Sequence, residues 1–233
     1  MQAIDPFVRT TSEFSKKLLT DYDIDEVMEE LAERATALLG LMGSGVGLER
    51  EGRLEVITAV PPSVGPLEER QEADQDGPCV LALTTNTIVT VPDLATEERW
   101  PAYRQVAAQL HVRSVAAVPL TLTEKAIGSF NLYRDHTGPW SQGDLAAVTA
   151  LANMATAFLV NASALAQQTQ LTQQLQQALE TRVLLEQAKG ILAEANTITV
   201  TEAFSLIRRY ARNRNIKIHD VANAVVHMGV RPT

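Results

Sequence analysis

Cationic side chains gather near the C-terminus, with a spacing that could bind phosphate. On a helix predicted to start after Thr199, a step of 100° per residue puts three arginines on one polar arc that holds no acid: Arg208, Arg209 and Arg212. Arg214 and Lys217 follow just beyond this arc. Guanidinium groups donate bidentate hydrogen bonds to phosphate, whereas a merely solvated helix face usually mixes both signs of charge. The pattern therefore favours contact with a nucleic acid.

The stretch "LEQAKGIL", residues 185–192, places Lys189 beside Gly190 inside another predicted helix. A glycine in a helix interior costs about 1 kcal/mol relative to alanine. On the helical projection the apolar stripe contains Leu185 and Leu192. Arg182, Lys189 and Gly190 lie outside that stripe. We interpret the glycine as room for a bulky backbone, such as that of RNA, to lie close beside the lysine.

Charge is distributed unevenly along the 233 residues, whose net charge is −8. Residues 1–180 carry 12 Lys and Arg against 24 Asp and Glu, a net −12. Residues 181–233 carry 8 against 4, a net +4, so a polyanion is expected to meet the C-terminal fifth of the chain. The N-terminus has no uninterrupted apolar run, and we expect no later run to reach the length of a membrane span. The sequence thus predicts a soluble, cytoplasmic protein.

The N-terminal part offers few groups for chemistry. Its single cysteine, Cys79, excludes an internal disulfide, and the four histidines have no metal-ligand spacing. Cys79 could be a redox sensor or a chromophore attachment point, but a buried residue at a helix start behind Pro78 is favoured. Asp93 and Trp100 are further candidates for a sensor pocket, with a cap or a core position as the alternatives. We expect no catalytic residue and no enzyme activity, and the sequence indicates no particular cofactor.

The order of predicted elements gives an α+β fold. Residues 3–40 read as two helices, ending at Gly40, and a strand pair follows about a Glu51–Gly52 turn. Three more short runs read as strands, and two short helices lie between them. Helices around five or six strands without βαβ alternation predict a largely antiparallel sheet. Helix resumes after Ser141, a plausible N-cap.

That last helix is predicted to continue to residue 196. Apolar residues follow alternating spacings of four and three, which is a heptad pattern interrupted by Arg182 and Lys189: Leu171, Leu175, Ala178, Leu185 and Leu192. We predict a coiled-coil linker over 161–181 and a homodimer. Two helices follow, the first opened by a Thr199–Glu202 capping box. The predicted domains are 1–160, the linker 161–181 and a three-helix unit over 182–233.

The C-terminal segment, about residues 170–229, resembles the ANTAR domain, an RNA-binding antitermination module of bacterial regulators. The motifs that carry the resemblance are Ala188-Lys189-Gly190, Thr201-Glu202-Ala203-Phe204, Ile207-Arg208, Ala211 and Asp220-Val221-Ala222. Ala193 departs from the methionine that many relatives carry. The resemblance implies binding to paired RNA hairpins in leader transcripts, which prevents a terminator hairpin from forming. It implies RNA contact by Lys189 and Arg208. RNA contact by the other cations is supported by their predicted positions on the helix surface more than by the resemblance.

Residues 5–160 resemble a GAF domain, a fold that senses small molecules or other signals. The motifs are "GPCVLAL", "VPDLATEERWPAY", "VRSVAAVPL" and "IGSFNLY". Together the resemblances imply a GAF-like sensor, with a small-molecule ligand or an upstream signalling partner, followed by a coiled coil and an ANTAR-like RNA-binding bundle. Two alternatives stay open. One is a DNA-binding, ligand-responsive regulator, and the other is an enzyme that uses Cys79 as a nucleophile.

Overall fold

The computed structural model describes residues 6–232 and contains two compact units, Met1–Ser163 and Ala164–Thr233. One long helix, α6 (Gln142–Asn196), contributes its first part to the N-terminal unit and its second part to the C-terminal unit. The two units are described in turn.

Two helices open the N-terminal unit, α1 (Pro6–Lys17) and α2 (Ile24–Leu39). The Asp23 carboxylate caps α2 by accepting hydrogen bonds from the backbone N–H groups of Asp25 and Glu26. Gly40 ends α2 in the left-handed conformation, with φ at 58°, as a C-terminal glycine typically does. The predicted pair of helices is confirmed from residue 6 onward, and residues 3–5 of that prediction lie outside the described residues.

Five antiparallel strands form one sheet in the order β2-β1-β5-β4-β3. The strands are β1 (Gly43–Arg50), β2 (Arg53–Val60), β3 (Val89–Val91), β4 (Ser114–Leu122) and β5 (Lys125–Arg134). Glu51 and Gly52 connect β1 to β2 with φ of 53° and 81°, the positive values that a two-residue hairpin turn requires. The antiparallel sheet and its Glu51–Gly52 turn were both predicted from the sequence.

Three short helices connect the strands: α3 (Gly65–Asp74), α4 (Pro78–Thr85) and α5 (Pro101–Gln109). Single turns of 3₁₀ helix precede α3 at Pro62–Val64 and α5 at Leu94–Thr96. Helices α4 and α5 were expected, but α3 was not. Its inward positions are taken by Leu67, Glu68 and Gln71, so the helix has no apolar stripe that could reveal it.

The sheet has a hydrophobic core on each face, because side chains along a strand alternate between the two faces. On β5, Phe130 and Leu132 pack into the core that contains residues of α1, α2 and α6, including Phe14, Leu31 and Phe158. Tyr133 packs into the other core, with side chains of α3 to α5. Helix α6 starts after Ser141, whose hydroxyl accepts a hydrogen bond from the Asp144 N–H at 3.0 Å. The predicted cap at Ser141 is confirmed.

Helix α6 also contains an 18-residue stretch with a mean hydropathy of 1.6, which could cross a membrane by length and composition alone. The expectation that no run reaches this length was therefore wrong. About a third of the stretch is buried within the structure, and Val148, Leu151 and Phe158 of α6 belong to the core beside the sheet. Such a core helix of a globular domain meets the same criteria.

The C-terminal unit is a three-helix bundle formed by the second part of α6 with α7 (Val200–Arg214) and α8 (Ile218–His227). The predicted capping box is present, since Thr199 and Glu202 each bond the other's backbone N–H. Ala188, Leu192, Ile207 and Val225 are buried in its core. By contrast, every side chain from residue 163 to residue 180 of α6 is exposed in the single chain.

Candidate nucleic-acid interface

Helix α7 buries one face and exposes its arginines on another. Ala203, Ile207 and Ala211 recur every four residues and are buried in the bundle core. Arg208, Arg209 and Arg212 are exposed. The sequence pattern explains this division, because small and apolar residues occupy one stripe of the helix and polar residues, the arginines among them, occupy the rest.

Three more of the predicted cations are also exposed. Arg182 lies on α6, Arg214 ends α7 and Lys217 immediately precedes α8. The Arg214 guanidinium stacks on the Tyr210 ring at 4.3 Å from its centroid. Within residues 164–232, the structure forms one ion pair, between Lys189 and Glu186, so these six predicted cations have no acidic partner there. Their charges are available to a polyanion.

Lys189 differs from this group, because it is largely covered. Its side chain is 17% exposed, and its Nζ lies 2.8 Å from both carboxylate oxygens of Glu186, three residues earlier on α6. The helical projection had placed Lys189 outside the apolar stripe, but this ion pair was not predicted. In the free protein a phosphate that reaches Lys189 must compete with Glu186, whose own side chain is 56% exposed.

Gly190 is exposed, and nothing in the protein accounts for it. A Cβ built at this position meets no heavy atom within 4 Å outside its own helix neighbours. The backbone has ordinary helical dihedrals within α6, so glycine is not needed for a special conformation either. The glycine thus weakens the helix without a packing benefit inside the chain.

The three candidate sensor residues have separate roles in the fold. The Asp93 carboxylate accepts a hydrogen bond from the Ala95 N–H at 2.9 Å and caps a 3₁₀ turn. Trp100 is buried in the core beside α5, with the Arg99 guanidinium over its ring at 4.2 Å. Cys79 lies in the first turn of α4, fully buried. These are the positions that the sequence had offered as alternatives to a pocket.

A buried polar cluster in the N-terminal unit was not anticipated from the sequence. The Glu68 carboxylate is fully buried and accepts a hydrogen bond from the Tyr133 hydroxyl at 2.6 Å. It also accepts bonds from the Asn131 amide at 2.9 and 3.0 Å, and the Cys79 thiol lies 3.8 Å away. No sequence pattern pointed to it, because the helix that carries Glu68 has no apolar stripe that would mark its inward positions.

Burial dominates the electrostatics of this cluster. Desolvation raises the pKa of Glu68 from 4.5 to about 7, although the bonds from Tyr133, Asn131 and Cys79 work in the opposite direction. Burial, and then the Glu68 charge, raise the pKa of the Cys79 thiol well above its usual range. The thiol is therefore protonated at neutral pH, and a protonated thiol is a poor nucleophile and a poor redox sensor.

The raised pKa of Glu68 makes the stability of the N-terminal unit depend on pH. The folded state binds the proton more tightly than the unfolded state, so this contribution is fully present below pH 4.5 and is lost as the pH rises to about 7. Each pKa unit corresponds to about 1.4 kcal/mol, which gives a loss on the order of 3 kcal/mol across that window.

The fold and the matching family models define the class of the protein. The GAF domain model matches residues 23–159, more than half of the chain, and the protein belongs to the GAF domain family. The ANTAR domain model matches residues 173–226. The protein is thus a regulator that joins a GAF domain to an ANTAR domain, as its sequence motifs predicted. No curated protein matches the sequence significantly.

Solved structures agree on the GAF fold at low sequence identity. The GAF domain of a phosphoenolpyruvate-protein phosphotransferase from Coxiella burnetii is 10% identical, with a TM-score of 0.55, over 68% of this chain and 95% of that one. The A. aeolicus nlh2 GAF domain is 11% identical, with a TM-score of 0.53, over 66% and 95%. Free methionine-R-sulfoxide reductase from Neisseria meningitidis is 15% identical, with a TM-score of 0.51, over 69% and 93%. These similarities concern the fold alone.

Proposed function

We propose that this protein is a bacterial transcription antitermination regulator that binds paired RNA hairpins in leader transcripts through its C-terminal domain, under the control of its GAF domain. One observation carries the proposal: six exposed cations without acidic partners lie on the unit that the ANTAR model matches. Antitermination follows if a bound hairpin can no longer join the competing terminator hairpin.

Charge supports contact at this unit. Residues 1–180 carry a net −12 and repel a polyanion, while residues 181–233 carry +4. Arg208 and Arg212 are one helical turn apart and exposed, a spacing at which two guanidinium groups can hold neighbouring phosphates. The candidate RNA-binding residues are the ones predicted from the sequence: Arg182, Lys189, Gly190, Arg208, Arg209, Arg212, Arg214 and Lys217.

A dimer would let two such units bind two linked hairpins. Leu171, Leu175 and Leu179 are 56%, 58% and 59% exposed in the single chain, on a helical stretch that is otherwise rich in glutamine. A second copy of α6 would cover these leucines in a parallel coiled coil. The second hairpin contact would then be intramolecular, which raises the overall affinity without a new type of contact.

The GAF domain would supply the signal, from a small-molecule ligand or an upstream signalling partner, to a regulator that acts in the cytoplasm without contact to the membrane. We assign no catalytic step to it. An enzyme that used Cys79 as its nucleophile would need a reactive thiolate, and burial together with a raised pKa disfavours one.

The proposal is tested by RNA binding of the full chain as a function of salt. The probe is a tandem hairpin RNA selected on the wild-type protein from a library with randomised loops. Arg208→Ala and Arg212→Ala should each weaken binding about five- to tenfold and lower the slope of log K against log salt by about 0.7 to 0.9 per lost phosphate contact.

The matched control is Lys125→Ala, which removes an exposed cation from β5 of the N-terminal unit. It should leave affinity and slope unchanged. Equal losses in all three variants would show that the contact is diffuse and is not made by α7. If no RNA that binds the wild-type protein is recovered, the proposed function is wrong.

A further inference from the structure

An aromatic ring lies among the cations of the C-terminal unit. Phe204 of α7 is partly exposed, and two cations approach its ring, the Lys189 Nζ and the Arg208 guanidinium carbon, each 5.6 Å from the ring centroid. One cation comes from α6 and the other from α7 itself, four residues further on. This arrangement joins two helices at one aromatic side chain.

The ring is not required for the core of the unit. The buried stripe of α7 consists of Ala203, Ile207 and Ala211, and Phe204 is rotated by 100° from Ala203. Within residues 164–232, the hydrophobic cluster that these residues form does not include Phe204. Tyr210, the other aromatic of α7, does pack against that cluster. Phe204 therefore belongs to the charged surface.

We propose that Phe204 is a stacking platform for an unpaired base of the bound RNA, with Lys189 and Arg208 placed to hold the phosphates on either side of that base. This inference rests on the proposed function, because it concerns how the same unit reads its RNA. Aromatic rings stack on bases that hairpin loops leave unpaired, and each stacked base typically strengthens binding about five- to 150-fold.

The ring also favours a loop over a duplex. A base inside a duplex already stacks on its neighbours, so a protein ring cannot stack on it unless the base is extruded at a cost. A hairpin loop presents its bases without that cost. A surface that combines a ring with flanking cations thus takes single-stranded loop nucleotides, while arginines alone would accept any phosphate backbone.

The test combines protein variants with an abasic scan of the RNA, with the full chain throughout. The probe is the selected tandem hairpin RNA, with each loop nucleotide replaced in turn by an abasic one. Phe204→Leu keeps an apolar side chain and should weaken binding about five- to 150-fold, whereas Phe204→Tyr should retain binding. At one loop position the abasic replacement should weaken the wild-type complex but not the Phe204→Leu complex.

Three results distinguish failure of the stacking role from failure of the proposed function. If the wild-type chain binds the RNA and Phe204→Leu binds it equally well, stacking is refuted while RNA binding stands. Stacking is also refuted if Phe204→Leu loses the same factor with every abasic RNA, because Phe204 would then only support Lys189. Tyr210→Leu, the comparison variant, should couple to no single loop position. If no RNA binds the wild-type chain, the proposed function fails, and the stacking role fails with it.

Discussion

Replacing Gly190 by alanine should change folding stability and RNA affinity in opposite directions. The substitution adds one methyl group to an exposed position within α6, where no heavy atom lies within 4 Å of the new Cβ. No repacking is required, so the full helix-propensity gain of about 1 kcal/mol should appear as added stability. For a unit of this size, that gain corresponds to a rise of about 4–8 °C in its melting temperature.

Binding should change in the opposite direction. If an RNA backbone lies against Gly190, the methyl group must displace it, and overpacking of this kind costs about 1–3 kcal/mol. The expected loss is therefore about fivefold to more than a hundredfold in affinity. Calorimetric melting of the full chain measures the first effect, and fluorescence anisotropy with the tandem hairpin RNA measures the second.

Gly143→Ala is the matched control, because Gly143 is also exposed on α6 but belongs to the N-terminal unit. A Cβ at position 143 would make only an ordinary contact with the Ser141 side chain, at 3.7 Å. Its RNA affinity should equal that of the wild-type protein. An alanine at position 190 that stabilises the protein and leaves RNA affinity unchanged, or raises it, refutes the idea that the glycine makes room for RNA.

Three further predictions concern other parts of the chain. Glu186→Gln should tighten RNA binding by up to about fivefold, because it frees Lys189 from its carboxylate partner; unchanged anisotropy titrations would contradict this. Glu68→Gln should remove the pH dependence that the raised pKa of Glu68 confers. Calorimetry of the N-terminal unit's unfolding transition should show that the wild-type protein loses on the order of 3 kcal/mol of stability relative to the variant between pH 4.5 and 7. Parallel pH profiles of stability for the two proteins would refute the raised pKa of Glu68. The double variant Leu175→Gln/Leu179→Gln should shift the full chain from dimer to monomer in sedimentation equilibrium, because it removes apolar side chains from the predicted coiled coil. Gln173→Ala, on another face of α6, should leave the dimer unchanged. If the double variant also stays a dimer, these leucines are not the dimer interface.

Much of the fold could be predicted from the sequence, because its elements obey local rules. Ser141 and Thr199 cap helices, Gly40 ends one, and the Glu51–Gly52 pair turns a hairpin. Helix α3 was missed because its inward positions hold Glu68 and Gln71, so its pattern resembles a solvated loop. Only tertiary contacts show that these polar side chains are buried, those of Glu68 with β5 and that of Gln71 with the Cys79 N–H of α4.

The candidate interface was predictable to a similar extent. Exposure of the α7 arginines follows from helical spacing alone. The position of Phe204 beside Lys189 does not, because it depends on how α7 packs against α6. The ion pair between Lys189 and Glu186 fits their spacing on α6 but was not predicted. The roles of these residues in RNA binding remain predictions.

The most direct measurement compares two nucleic acids on the full-length protein at matched salt. One is the selected tandem hairpin RNA, and the other is duplex DNA of the same sequence. We predict that the RNA binds at least about tenfold more tightly, and that the preference persists as rising salt weakens the phosphate contacts common to both. Equal affinity at every salt concentration, or tighter binding of the DNA, would contradict the assignment of this protein as a hairpin-binding antitermination regulator.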